Sequence, residues 1–148
     1  MRLWSDAVFG YAARQSMETE GTPMSDTHGT VFWSELMTPD VEAAKAYYGQ
    51  ICGWTFMTMP MPDGSDYHLA MLGETPMAGI IATQDGESPD WMSYFAVDDL
   101  DAAVAATAAA GGSVERAPFT VPGTGRIALL TDPTGARLGL MTPEPMED

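Results

Sequence analysis

The sequence predicts an α+β fold in which one βαβββ unit is written twice. Three observations carry that prediction. "TPDVEAAKAYYGQICGW" from Thr38 and "VDDLDAAVAATAAAGGS" from Val97 align at a shift of 59 positions, which places Asp40 on Asp99, Glu42 on Asp101 and Gly53 on Gly112. Each of these helix-like stretches follows a strand-like run and precedes three more. "MAGII" (77–81) and "RLGLM" (137–141) end the two copies, matching around Gly79 and Gly139.

The elements follow in order. "TVFWSELMT" alternates, with Trp33, Glu35 and Met37 on one side and Phe32, Ser34 and Leu36 on the other, as a half-buried strand does. Thr38-Pro39-Asp40 then starts a helix, with a capping hydroxyl, a proline tolerated in the first turn and acids at the positive end of the dipole. Its apolar stripe is expected at Ala44, Tyr47, Tyr48 and Ile51, and Gly53 suits the left-handed residue that ends a helix. "WTFMTMPM", "YHLAML" and "MAGIIA" are strands separated by the turns "PDGSD" and "GETP". In the second copy "WMSYFAV" is a strand, and Asp98–Asp99 cap a helix with the stripe Ala103, Ala106, Thr107 and Ala110. "SVERAPF", "GRIALLT" and "RLGLM" complete it. Asp132-Pro133-Thr134-Gly135 carries the residues a type I turn prefers.

The expected domain runs from 28 to 145, with modules at 29–84 and 90–143. Residues 1–27 form an N-terminal extension, polar and turn-forming over "SMETEGTPMSDTHG", either a loosely attached segment or an over-long start. Asp6 and Arg14 within the opening apolar stretch speak against a secretory signal. Cys52 is the lone cysteine, so no internal disulfide forms, which suits a reducing cytoplasm. No apolar run is long enough to span a bilayer. The net charge of −15 repels nucleic acid and anionic membrane, leaving a small molecule as the expected partner.

The segments "ELMTPDVEAAKAYYGQICGW", "FAVDDLDAAVAATAAAGG" and "DPTGARLGL" resemble the vicinal oxygen chelate superfamily of glyoxalase I, bleomycin-resistance proteins and extradiol dioxygenases, over about residues 29–143. The resemblance implies two modules side by side whose sheets curl into an open, cupped β-barrel with helices outside and a ligand in the concave face. It also implies a homodimer, since members often pair along exposed sheet edges. Members typically hold a metal with a His in each first strand and a Glu in each last strand. The matching positions here are Trp33, Met92, Gly79 and Gly139, so no metal and no other cofactor is expected. A displaced site would have to draw on Glu35, His68 and Glu74.

On this resemblance Trp33, Glu35 and Met37 face the cavity together with Met92, Tyr94 and Ala96. Met57, Met59 and Met61 alternate along the next strand, either as core or as adaptable wall. Trp33 suits a planar ligand, Glu35 a cationic one, and Arg126 an anionic group. The leading expectation is a metal-independent protein that binds an apolar or cationic ligand, as in the bleomycin-resistance branch. The alternatives are a metal-free lyase or isomerase using Glu35 and Tyr94 as acid and base, a lyase or dioxygenase with an atypical metal site, and a structural module without ligand.

Overall fold

The computed structural model describes residues 27–84, 86–121 and 125–144 of the 148-residue chain. The extension expected over 1–27 lies outside the described residues except for Thr27, as does residue 145. The elements are β1 (Val31–Thr38), α1 (Val41–Cys52), β2 (Thr55–Pro60), β3 (Asp66–Leu72), β4 (Thr75–Ala82), β5 (Asp90–Ala96), α2 (Leu100–Thr107), β6 (Ser113–Val121), β7 (Gly125–Thr131) and β8 (Arg137–Pro143). The order is βαβββ twice.

All eight strands share one sheet, ordered β2-β3-β4-β1-β5-β8-β7-β6. The second module therefore repeats the first outward from the antiparallel β1–β5 seam, where Trp33 faces Tyr94 and Glu35 faces Met92. β1 pairs with β4 and β5 with β8 in parallel, while the outer strands return as antiparallel hairpins. Among the described residues β2 and β6 are the two edges, so the sheet is an open cup rather than a closed barrel. Among the described residues no helix is long and apolar enough to cross a membrane.

Both helices begin at an aspartate. Asp40 accepts from the Ala43 N–H at 3.1 Å and Asp99 from the Ala102 N–H at 3.0 Å. Thr38 is not the cap; its hydroxyl instead accepts from the Asp40 N–H at 3.2 Å. Gly53 ends α1 at φ 72, the left-handed conformation that glycine adopts without a steric penalty.

The helix stripes differ from the expectation by a rotation. The inward positions of α1 are Val41, Ala44, Lys45 and Tyr48, and those of α2 are Leu100, Ala103, Val104 and Thr107, the same set shifted by 59. Tyr47 and Ile51 are 57% and 61% exposed, and Ala106 and Ala110 are also exposed. In α1 the inward turn goes with Lys45. Its stem lies inward with the ammonium 5.9 Å from the centre of the Phe56 ring, a position that hydrophobicity alone assigns to solvent. Tyr48 stacks on Trp54 at 5.4 Å and accepts from the Trp91 indole N–H at 2.9 Å, tying α1 to the first strand of module two. Under α2, Leu100 packs with Ala128 and Leu130. Leu100→Ala is expected to cost about 2–4 kcal/mol, whereas Ile51→Ala stays within about 0.5 kcal/mol, as read by urea unfolding.

Candidate functional site

The face of the sheet away from the helices holds a buried hydrogen-bond network. Glu35, on β1, is 4% exposed. It accepts from the Tyr94 hydroxyl at 3.1 Å and from the Tyr67 hydroxyl, and Tyr67 in turn accepts from the Trp33 indole N–H at 3.0 Å. Every polar atom of this chain of groups thus has a partner inside an apolar cluster that includes Met59, Leu69, Met92 and Met141. Burial raises the Glu35 carboxyl from 4.5 to about 7, because the two phenol hydrogen bonds that favour its ionised form offset only part of the lost hydration. Tyr67 and Tyr94 are both pushed upward, first by burial and then by the neighbouring Glu35 charge, so both remain protonated donors.

Two glycines make room for the phenols. A Cβ at Gly79 would overlap the Tyr67 hydroxyl, and a Cβ at Gly139 would overlap the Tyr94 ring. These are the positions at which the family resemblance places a metal-binding carboxylate. The other two such positions hold the Trp33 indole and the Met92 thioether, both buried. This donor set does not fit a divalent metal, which takes several imidazole, thiolate or carboxylate ligands. The displaced set of Glu35, His68 and Glu74 is not assembled either. His68 lies on the helix side of β3, hydrogen-bonded to Thr58 at 3.3 Å, and Glu74 lies in the β3–β4 turn. Among the described residues no cluster of three such groups forms.

Of the residues singled out in the sequence, Trp33, Glu35, Met37, Met92 and Tyr94 come together on this face. The structure does not bring Arg126 to them. One-residue alternation turns it to the helix side of β7, where it pairs with Asp101 at 2.8 Å and borders a surface cavity of about 270 Å³. Glu35, offered by the sequence as a counter-charge for a cation, has its oxygens engaged by two phenols. Tyr67 escaped sequence reasoning. The available signal was Gly79, a strand glycine with an aromatic on the neighbouring strand two places from its partner Leu69. Of the three late arginines that an anionic ligand could use, Arg116 and Arg137 stand near enough to Tyr94 to favour its ionised form.

The family model described as Glyoxalase/Bleomycin resistance protein/Dioxygenase superfamily matches residues 27–140. "Putative glyoxylase CFP32" of Mycobacterium tuberculosis is 36% identical over 128 residues, 86% of this chain and 49% of that protein. The anthracycline biosynthesis protein DnrV of Streptomyces peucetius is 29% identical over 135 residues, 80% of this chain and 49% of that protein. The chain thus spans about half the length of the curated relatives it matches. Among solved structures, methylmalonyl-CoA epimerase from Mycobacterium tuberculosis superposes with a TM-score of 0.52 at 18% identity, over 76% of this chain and 86% of that one. Hypothetical protein BH1468 from Bacillus halodurans C-125 does so with a TM-score of 0.56 at 10% identity, over 78% and 94%. At these identities the likeness is one of fold.

Two outcomes follow from the network. Between about pH 4.5 and 7 the folded chain keeps a proton on Glu35 that the unfolded chain has released. The contribution of this group to stability is therefore full below about 4.5 and falls as pH rises, levelling above about 7. The loss is on the order of 3 kcal/mol. Glu35→Gln is expected to remove that part of the pH dependence, seen as the difference between the two urea-unfolding profiles across pH 4–8. Gly79→Ala is expected to cost about 3 kcal/mol, because the displaced Tyr67 has no space to enter; calorimetry measures it.

Proposed function

The chain belongs to the Glyoxalase/Bleomycin resistance protein/Dioxygenase superfamily, and on that footing we propose that its concave face binds a small organic molecule without the divalent metal usual there. The observation that carries this reading is the placement of the Tyr67 and Tyr94 rings over Gly79 and Gly139. The space of the usual carboxylates is filled by phenols that serve Glu35 instead. The ligand's apolar body would lie along module one, where Met57 is half exposed and Met61 and Met71 are partly buried. Thioethers on flexible stems adapt to varied shapes. Trp33, at 5% exposed, belongs to the floor of the cup rather than to a stacking surface. The relatives' names, of a glyoxylase and of anthracycline biosynthesis proteins, are consistent with a small-molecule ligand. A homodimer is part of the same reading, with β2 and β6 as the strands available for pairing.

A second reading is metal-free proton transfer. It is favoured by a carboxyl raised to about 7 beside the Tyr94 hydroxyl, poised to hold or release a proton near neutral pH. For a ligand with an acidic C–H, uptake of deuterium from D2O that is lost in Glu35→Gln while binding persists would support it.

The main reading is tested by loading the protein with Ni, Zn, Mn or Fe, desalting it, and measuring metal by mass spectrometry. A panel of planar aromatic compounds is then screened by thermal shift with and without chelator. The expected result is well under one-tenth of an equivalent of metal and ligand-induced stabilisation unchanged by chelator. Near-stoichiometric retention of one metal, or stabilisation only in its presence, contradicts the reading.

A further inference from the structure

We propose that the concave face selects ligands bearing an oxyanion, held by Arg116 and Arg137 on the wall of module two. This inference rests on the reading that the concave face binds a small molecule, and it adds the charge class of that molecule.

The argument starts from scarcity. The chain has six Lys and Arg against 21 Asp and Glu. Four of the six fall within the described residues, and the sheet divides them evenly. Lys45 and Arg126 are on the helix side, each held by an acid of the helix of its module, Glu42 on α1 at 3.3 Å and Asp101 on α2 at 2.8 Å. Arg116 and Arg137 are on the concave side. Arg116 stands opposite Leu129 in the β6–β7 ladder, and Leu129 packs against the concave cluster. Arg137 precedes Gly139 by two residues on β8, so it shares the face on which the Tyr94 ring covers that glycine.

Their partners leave hydrogen-bonding capacity for a ligand. The Arg116 guanidinium lies 3.7 Å from the centre of the Phe119 ring, and no described carboxylate is within ion-pairing distance of it. Stacking fixes the plane of a guanidinium and leaves its N–H edge open to an acceptor. Arg137 gives its Nε to Glu115 at 3.1 Å, a contact that does not use the donors of its two terminal nitrogens. Glu115 is steadied from its other side by the Thr131 hydroxyl at 3.2 Å. In a field this negative, an anion is attracted only where cations are concentrated and acids are engaged elsewhere. The opposite wall carries Met57 and Met61, so the two walls together suit an amphipathic molecule with an apolar body and an anionic end.

The probes are 2-naphthoate, 2-naphthylmethanol and 2-naphthylmethylammonium, titrated into the full chain at low salt by calorimetry. Naphthoate is expected to bind most tightly. Arg116→Gln and Arg137→Gln should each weaken it by about tenfold or more, with Arg126→Gln leaving it unchanged. Since all three arginines are at least partly exposed, each variant is expected to retain the parent melting temperature, which is checked alongside. Naphthoate binding that is indifferent to Arg116→Gln and Arg137→Gln, or tighter binding of the alcohol or the ammonium, overturns the oxyanion inference and leaves the small-molecule reading standing. Failure of all three probes to bind overturns both.

Discussion

Burying the Glu35 carboxyl at the seam of the two modules obliges the chain to surround it with donors, and much of the concave face is arranged around that requirement. Among the described residues no cation pairs with it. The donors are the phenols of Tyr67 and Tyr94, with Trp33 supporting Tyr67 from behind. Burial strips the carboxyl of its hydration and pushes it up to about 7, and the two neutral phenol donors offset only part of that rise. A group in this state is a structural element at acidic pH and a destabilised anion at alkaline pH.

The duplicated architecture explains where the donors come from. Positions 35 and 94 are equivalent in the two copies, and they meet because β1 and β5 run antiparallel through the centre of the sheet. One copy supplies the acid and the other the phenol. The glycines are equivalent too, yet they are used differently. Gly139 yields its space to Tyr94 on the adjacent strand β5, while Gly79 yields its space to Tyr67 from β3. Symmetry in the backbone thus supports an asymmetric site, with methionines toward one side and arginines toward the other.

Much of this fold was legible because its signals are local and repeated: period-two strands, an aspartate at each helix start, and a shift of 59 positions, 60 by the last strand, that superposes the copies; the glycine stop holds for Gly53, whereas α2 ends at Ala108 ahead of Gly111. The helix stripes were not, since Lys45 buries its stem over Phe56 and turns α1 away from the face that Tyr47 and Ile51 suggest. In the site, alternation along β1 and β5 brought Trp33, Glu35 and Tyr94 to one face. Tyr67 was hidden because it reaches Glu35 across β4, a contact fixed by register rather than by any spacing within the chain. Arg126 was misplaced for a related reason: alternation puts Arg126 and Ile127 on opposite faces, so an error of one residue in register exchanges helix side for cup.

The most direct test of the central claim is a titration of the Glu35 carboxyl carbon by NMR on glutamate-labelled protein, with Glu35→Gln identifying the resonance. Protonation with a midpoint near pH 7 agrees with a buried carboxyl held by two phenols and no cation. A midpoint at or below the ordinary 4.5 would mean that water or a cation reaches Glu35, and the network described here would not be what fills the cup.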